Sequence, residues 1–267
     1  MKFSRKKSLL VGFGGLLCLG SIILLICNLL LWKESKNYET TFAAVILMVF
    51  VGIVNILLGI FSSNGKKKII TTKMISMVGV MGAMSSLLYL FVKFNLAFFP
   101  SFLDIQISEI PALIAGYAYG PVAGGLVILL RCIIKLPFSS TSFVGELADL
   151  IIGLSLVVPA SIIYKKHKSL KGALVGFIIS AVLSIMVALL TNWLVLIPFY
   201  IEFFFNGSIQ PLLGMCSMIP GINESNYMLL YLFVGNLPFN IFRYIIVGVL
   251  TFVLYKNVHR LIDNIVY

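Results

Sequence analysis

Long apolar runs alternate with short polar or basic segments along almost the entire chain. A helix needs about 20 apolar residues to cross the hydrocarbon core of a bilayer. Applied to this sequence, that length predicts eight membrane spans. They are Ser8–Trp32, Thr41–Phe61, Met74–Phe99, Ile110–Tyr119, Val122–Leu136, Phe143–Tyr164, Leu170–Tyr200 and Met228–Tyr255.

The fourth and fifth runs are the shortest, and helix-breaking residues separate them. Gly116 and the Gly120–Pro121 pair interrupt what would otherwise be one long apolar stretch. Glycine and proline at such a point favour a turn between two helices. A single kinked helix is the alternative interpretation.

The composition supports an all-α membrane protein. Apolar residues make up 60% of the chain, charged residues only 11%, and the mean hydropathy is +1.09. A soluble globular protein carries about 25% charged residues. The chain therefore lacks the polar surface that a soluble domain of 267 residues would need.

The positions of the charges explain the net charge of +11. Lysine and arginine cluster before the first span, after the second, between the sixth and seventh, and after the last. With eight spans all four clusters fall on one side, and nearly all acidic residues fall on the other. Since basic loops stay in the cytoplasm, both termini are expected inside. The basic excess thus reflects membrane topology, and no nucleic-acid partner is expected.

Catalytic and metal-binding motifs are missing from the sequence. His167 and His259 both lie in basic cytoplasmic loops, neither H-E-x-x-H nor G-x-S-x-G occurs, and the four cysteines show no C-x-x-C spacing. The segment GIFSSNGKK at 59–67 has the wrong spacing for a phosphate-binding loop. We therefore expect no enzyme, no metal and no cofactor, and any uphill transport must draw energy from a partner or an ion gradient.

Polar side chains concentrate in the outer half of a few spans. Asn192 lies in the seventh span, Asn240 and Arg243 lie in the eighth, and an outer loop contains Phe98, Phe99 and Phe102. Intramembrane polar groups are usually functional, and amides together with aromatic rings suit a flat ligand with a polar edge. Contacts between helices, or an aromatic belt at the membrane surface, would explain the same residues.

Three further pairs of residues stand at helical spacing. Glu146 and Asp149 stand three residues apart at the start of the sixth span, where carboxylates suit a helix N-terminus. Small residues recur four apart in Gly79-x-x-x-Ala83 and Gly82-x-x-x-Ser86, which predicts close helix approach. That approach could serve a partner protein or internal packing.

Several motifs, in order, resemble the substrate-binding S component of energy-coupling factor (ECF) vitamin transporters, most closely the riboflavin type. The most specific is IPALIAGYAYGPVAG, within 98–125. VGELADLIIG, TNWLVLIPFY and LPFNIFRYIIVG follow at 144–153, 191–200 and 237–248. The resemblance covers about residues 73–255. It implies a six-helix core of residues 69–267, preceded by a two-span extension of unknown role at 1–68.

The resemblance also implies a function. Such a protein captures riboflavin or a close flavin outside the bacterial plasma membrane, under a lid formed by the first loop. It passes the vitamin inward with a membrane scaffold subunit and two cytoplasmic ATPases. Gly79 and Ala83 would contact the scaffold. The expected ligand contacts are Asn192, Asn240, Arg243, Asp149, Phe102 and Leu103.

Four residues depart from the riboflavin-type pattern. Arg243 stands where lysine is usual, Asp149 where asparagine is frequent, and Arg131-Cys132 where a Lys-Asn pair is common. Because a guanidinium and an ammonium bind with different geometry, these departures leave a second hypothesis open. The ligand would then be a different small molecule, such as thiamine, folate or a queuosine precursor.

Overall fold

The computed structural model describes the backbone of residues 71–266 and the side chains of residues 71–254. The first two predicted spans, and the extension that contains them, lie outside this part. Five described segments are long and apolar enough to cross a membrane. They are Thr72–Phe91, Pro121–Phe138, Val144–Lys166, Leu170–Phe204 and Tyr227–Leu254.

The fold is predominantly helical, as predicted. Its helices are α1 (Thr72–Phe91), α2 (Glu109–Tyr119), α3 (Pro121–Lys135), α4 (Val144–Lys166), α5 (Leu170–Thr191), α6 (Ile197–Phe199), α7 (Gln210–Met215), α8 (Tyr227–Leu230) and α9 (Leu237–Val266). The predicted span at Ile110–Tyr119 corresponds to α2, which has 11 residues and is shorter than a membrane crossing requires. The eight-span topology with both termini inside therefore stays a prediction.

The turn predicted at Gly120–Pro121 is present and separates α2 from α3. Gly120 adopts a φ of 95°, which residues with a side chain rarely adopt, and Pro121 begins α3 with the φ that suits a first helical turn. The alternative of one kinked helix is therefore wrong.

Helix α2 is the centre of the described bundle. Every residue from Glu109 to Tyr117 is buried. It packs against α1, α3, α4 and α9. A helix that is buried on all sides can be apolar all round. The outer helices instead expose large apolar side chains, such as Ile75, Val80 and Leu87 of α1, to the surroundings.

The loop after α1 contains a small β-hairpin that the sequence analysis did not predict. Strands β1 (Lys93–Asn95) and β2 (Asp104–Gln106) pair antiparallel, with Lys93 opposite Gln106 and Asn95 opposite Asp104. The Asn95 amide donates to the carbonyls of Ser101 and Leu103 and closes the loop. The run predicted as one span to Phe99 therefore ends as a helix at Phe91.

Three segments of wider π-helix interrupt the last two spans, at Asn192–Leu196, Tyr200–Phe204 and Tyr231–Asn236. The first and third lie just before Pro198 and Pro238. Since proline has no N–H to continue the helical ladder, the preceding turn widens. The first and third segments contain Asn192 and Asn236.

Candidate ligand-binding site

A cavity of about 480 Å³ lies among the hairpin loop, α4 and the last two spans. Side chains from all of these segments converge on it. The six ligand contacts predicted from the sequence all line it: Asn192, Asn240, Arg243, Asp149, Phe102 and Leu103. The structure therefore brings the predicted set together, although the residues come from four separate parts of the chain.

Buried amides and a phenol form a hydrogen-bonded chain between the last two spans. The hydroxyl of Tyr231 donates to Oδ1 of Asn192 over 2.7 Å. The amide of Asn236 lies 3.5 Å from the same hydroxyl, and Asn240 Nδ2 donates to Oδ1 of Asn236. Asn192 thus does join two helices, as the alternative interpretation held, whereas the hydrogen bonds of Asn240 stay within its own span; both residues also face the cavity.

Local backbone contacts determine which end of each amide the cavity presents. Nδ2 of Asn192 donates to the Ala188 carbonyl over 2.9 Å, and Nδ2 of Asn240 donates to the Asn236 carbonyl over 2.9 Å. Among the described residues no hydrogen bond reaches Oδ1 of Asn240. A ligand would therefore meet Asn240 as a hydrogen-bond acceptor.

Arg243 is held by a carboxylate that the sequence analysis did not single out. Glu109, the first residue of α2, is 1% exposed and accepts from both Arg243 and Arg131, the latter over 3.3 Å. Arg131 also donates to the Ser108 hydroxyl over 2.6 Å. Arg131 is itself buried, and neither it nor Cys132 lines the cavity.

A tyrosine of α1 anchors Asp149. Tyr89 is buried and its hydroxyl donates to Oδ2 of Asp149. The Arg131 guanidinium lies 4.7 Å from the centre of the Tyr89 ring, a distance typical of cation–π contact. Tyr89 therefore connects the lining carboxylate to the buried arginine behind it.

Acidic and basic groups balance around the cavity. Glu146 accepts hydrogen bonds from the hydroxyls of Ser139 and Thr141, at 2.7 and 2.8 Å. Its carboxylate therefore binds neighbouring side chains as well as lying at the start of α4. The charged lining residues are three bases and three acids: Lys93, Lys135, Arg243, Asp104, Glu146 and Asp149. Such a lining suits a ligand without a large net charge.

Only one of the three loop phenylalanines named above lines the cavity. The ring of Phe102 packs on that of Tyr231, with 5.6 Å between centroids. Phe99 packs instead on Phe239, at 5.3 Å, and Phe98 packs on Phe242, at 6.3 Å. The expectation that the loop aromatics gather around a ligand therefore applies to Phe102 alone.

Cys216 lies in an apolar cluster beside the cavity, in the loop between the last two spans. The cluster contains Leu212, Ile219 and Tyr231, with Phe102 packed against it. Burial raises the pKa of the Cys216 thiol to about 11. At neutral pH this cysteine is therefore an apolar packing group.

The two small-residue pairs of α1 lie on different faces. Gly82 and Ser86 are buried, and Gly82 faces the side chain of Leu130 in α3, so this pair serves internal packing. Gly79 and Ala83 are exposed, and no atom of the described residues lies within 4 Å of the place where a Gly79 side chain would begin. The second pair thus forms a smooth patch on the outside of the described bundle.

Comparison with known proteins agrees with this architecture. A family model described as "ECF transporter, substrate-specific component" matches residues 73–255. The riboflavin transporter RibU of Staphylococcus aureus (strain TCH60) is 29% identical over 199 residues, which are 74% of this chain and 94% of that protein. The riboflavin transporter FmnP of Bacillus subtilis (strain 168) is 26% identical over 64% of this chain and 85% of its own length.

A solved structure is also similar, with a TM-score of 0.54 and 27% sequence identity. It covers 71% of this chain and 96% of the other, and it is described as the S component of a bacterial ECF transporter. The matched residues contain every residue that lines the cavity and, apart from Thr72, all five segments that are long and apolar enough to cross a membrane. The chain therefore belongs to the substrate-specific components of ECF transporters, and it is a multi-pass protein of the cell membrane.

Proposed function

We propose that this protein captures riboflavin, or a close flavin, from outside the cell. The observation that carries the proposal is the convergence of Asn192, Asn240, Arg243 and Phe102 on a single cavity. The names of the two relatives, both riboflavin transporters, support the same ligand.

The chemistry of the lining matches that of a flavin. A flavin has a flat apolar ring system, with one edge that alternates carbonyl acceptors and an imide N–H donor. Asn240 offers an acceptor for that N–H, and Arg243, one turn further along α9, offers a donor for a neighbouring carbonyl. Phe102 and Leu103 supply apolar surface for the ring. The ribityl hydroxyls can donate to Asp149 and Glu146.

Energy for import would come from other subunits. We propose that a membrane scaffold subunit and two cytoplasmic ATPases assemble with this chain. The smooth patch at Gly79 and Ala83 offers a surface on which a scaffold helix can pack closely. The extension at 1–68 is proposed as a two-span segment of unknown role.

A different small molecule is the second candidate, because two of the six charged groups that line the cavity would suit a charged ligand. The Asp149 carboxylate would suit a cationic ligand such as thiamine, and the Arg243 guanidinium would suit an anionic one such as folate.

Fluorescence titration tests the proposal. The detergent-purified chain should quench riboflavin fluorescence at sub-micromolar concentrations. Asn240→Ala should raise the dissociation constant of riboflavin at least tenfold. A ligand present at about a hundred times its Kd should raise the free energy of unfolding by about 2.7 kcal/mol. Absence of quenching, with stabilisation by thiamine, folate or a queuosine precursor, would identify the second candidate as correct.

Reconstitution tests the division of labour. Vesicles that contain this chain alone should bind the ligand without concentrating it, whereas vesicles with scaffold and ATPases should accumulate it when ATP is present. Accumulation by the chain alone would contradict the proposed partners.

A further inference from the structure

The carboxylate of Glu109 is the meeting point of two guanidinium groups that come from distant parts of the chain. Its Oε1 atom accepts from Arg131 in α3 and from Arg243 in α9. Glu109 is 1% exposed, and its other oxygen, Oε2, has no hydrogen-bond partner among the described residues. Among the described residues, the two arginines are the cations that pair with this buried carboxylate.

The two arginines depend on Glu109 to different degrees. Arg131 has further partners, because it also donates to the Ser108 hydroxyl over 2.6 Å and to the Asp149 carbonyl over 3.5 Å. For Arg243, within the described part of the chain, the Glu109 carboxylate is the only hydrogen-bond or ion-pair partner, and Nε is buried without one. The position of the Arg243 guanidinium therefore rests on Glu109.

We propose that Glu109 is a positioning residue for ligand binding: it holds the Arg243 guanidinium in the cavity wall, aimed at the polar edge of the ligand. Glu109 does not itself line the cavity. An arginine side chain has many rotamers, and ordering it costs conformational entropy. If the guanidinium is already ordered before the ligand binds, this cost does not reduce the affinity. This inference rests on the proposed function, because it assigns Glu109 a part in binding that ligand.

A double-mutant cycle on the full-length protein separates positioning from general structure. The dissociation constant of riboflavin is measured for wild type, Glu109→Gln, Arg243→Gln and the double variant, by fluorescence quenching or, for weak binders, by thermal stabilisation. Glu109→Gln should weaken binding at least tenfold, which is about 1.4 kcal/mol. In the Arg243→Gln background the same change should weaken binding less than threefold, since no guanidinium is left to position.

Two further variants control for folding. Ser108→Ala removes a hydrogen bond from the same buried cluster, on the Arg131 side, and should change the dissociation constant less than threefold. Glu109→Asp keeps the charge of the cluster but withdraws the carboxylate by one methylene. It should weaken binding at least tenfold. If Glu109→Gln does not fold, Glu109→Asp takes its place in the double-mutant cycle with Arg243→Gln, and the same results are expected.

The possible results point to different conclusions. An equal loss of affinity from Glu109→Gln in both backgrounds, or no loss in wild type, would overturn the positioning role and leave the proposed function intact. A wild-type protein that does not bind riboflavin would overturn the proposed function, and this inference with it.

Discussion

The hydroxyl of Tyr231 provides a sharp test of the amide chain, because replacing it with phenylalanine changes one atom in a fully buried site. Tyr231 is 0% exposed, and its ring stacks near Phe102 at 5.6 Å. Tyr231→Phe keeps this ring contact. It removes the 2.7 Å hydrogen bond to Asn192, while the 3.5 Å contact with Asn236 is at the limit of hydrogen bonding and contributes little.

The expected magnitude follows from that single bond. Hydrogen bonds between membrane helices contribute about 0.6 kcal/mol on average and about 1.7 at most. Asn192 is buried and would retain an acceptor without its donor, so the loss should lie toward the upper part of that range. We expect Tyr231→Phe to lower the free energy of unfolding by about 1–1.7 kcal/mol. Tyr231→Ala, which also removes the ring, should cost about 3–5 kcal/mol.

Equilibrium unfolding in mixed micelles, with increasing mole fraction of sodium dodecyl sulphate and circular dichroism as readout, measures both losses. Asn192→Ala and the double variant with Tyr231→Phe complete a cycle, whose coupling free energy should exceed about 0.5 kcal/mol. Additive effects, or a Tyr231→Phe protein as stable as wild type, would show that the hydroxyl does not join the two spans.

Three other predictions concern separate parts of the molecule. Gly124→Ala should destabilise the protein by about 1–3 kcal/mol in the same unfolding assay, because the new carbon would lie 2.9 Å from the Ala112 carbonyl oxygen and 3.0 Å from the backbone of Gly116. Gly79→Leu should leave the stability and ligand affinity of the isolated chain unchanged but reduce co-purification with the scaffold subunit; normal assembly would exclude the patch as a contact. With the other cysteines replaced by alanine, maleimide labelling of Cys216 should rise about tenfold per pH unit from pH 7 to 10, because its pKa is raised to about 11 and only the thiolate reacts. A rate that levels off near pH 9 would contradict the raised pKa.

Apolar run length and helix breakers predicted most of the helical architecture. The turn at Gly120–Pro121 followed from local backbone chemistry, and the structure confirms it. The hairpin at 93–106 could not be predicted in the same way. Each strand has only three residues, and β1 lies within the apolar run that was predicted as one span to Phe99. The short α2 was predicted as a span because a buried central helix is as apolar as one that faces lipid.

The cavity residues were predictable to the extent that polar side chains in apolar spans stand out. Asn192, Asn240 and Arg243 are of this kind. Glu109 was missed because counting charges by side placed it among the outer acids, and its partners lie 22 and 134 residues away. One signal was present: two arginines in apolar spans each require a carboxylate partner.

The charges of the buried cluster also bear on the order in which the chain is made. Glu109 and Arg131 are synthesised close together and can enter the bilayer as a neutral pair. Asp149 follows along the chain, and Arg243, which is synthesised later still, brings the second guanidinium to Glu109. The helix that carries Arg243 thus meets a buried carboxylate that is already in place, and a chain truncated before Arg243 would leave Glu109 with one of its two arginine partners.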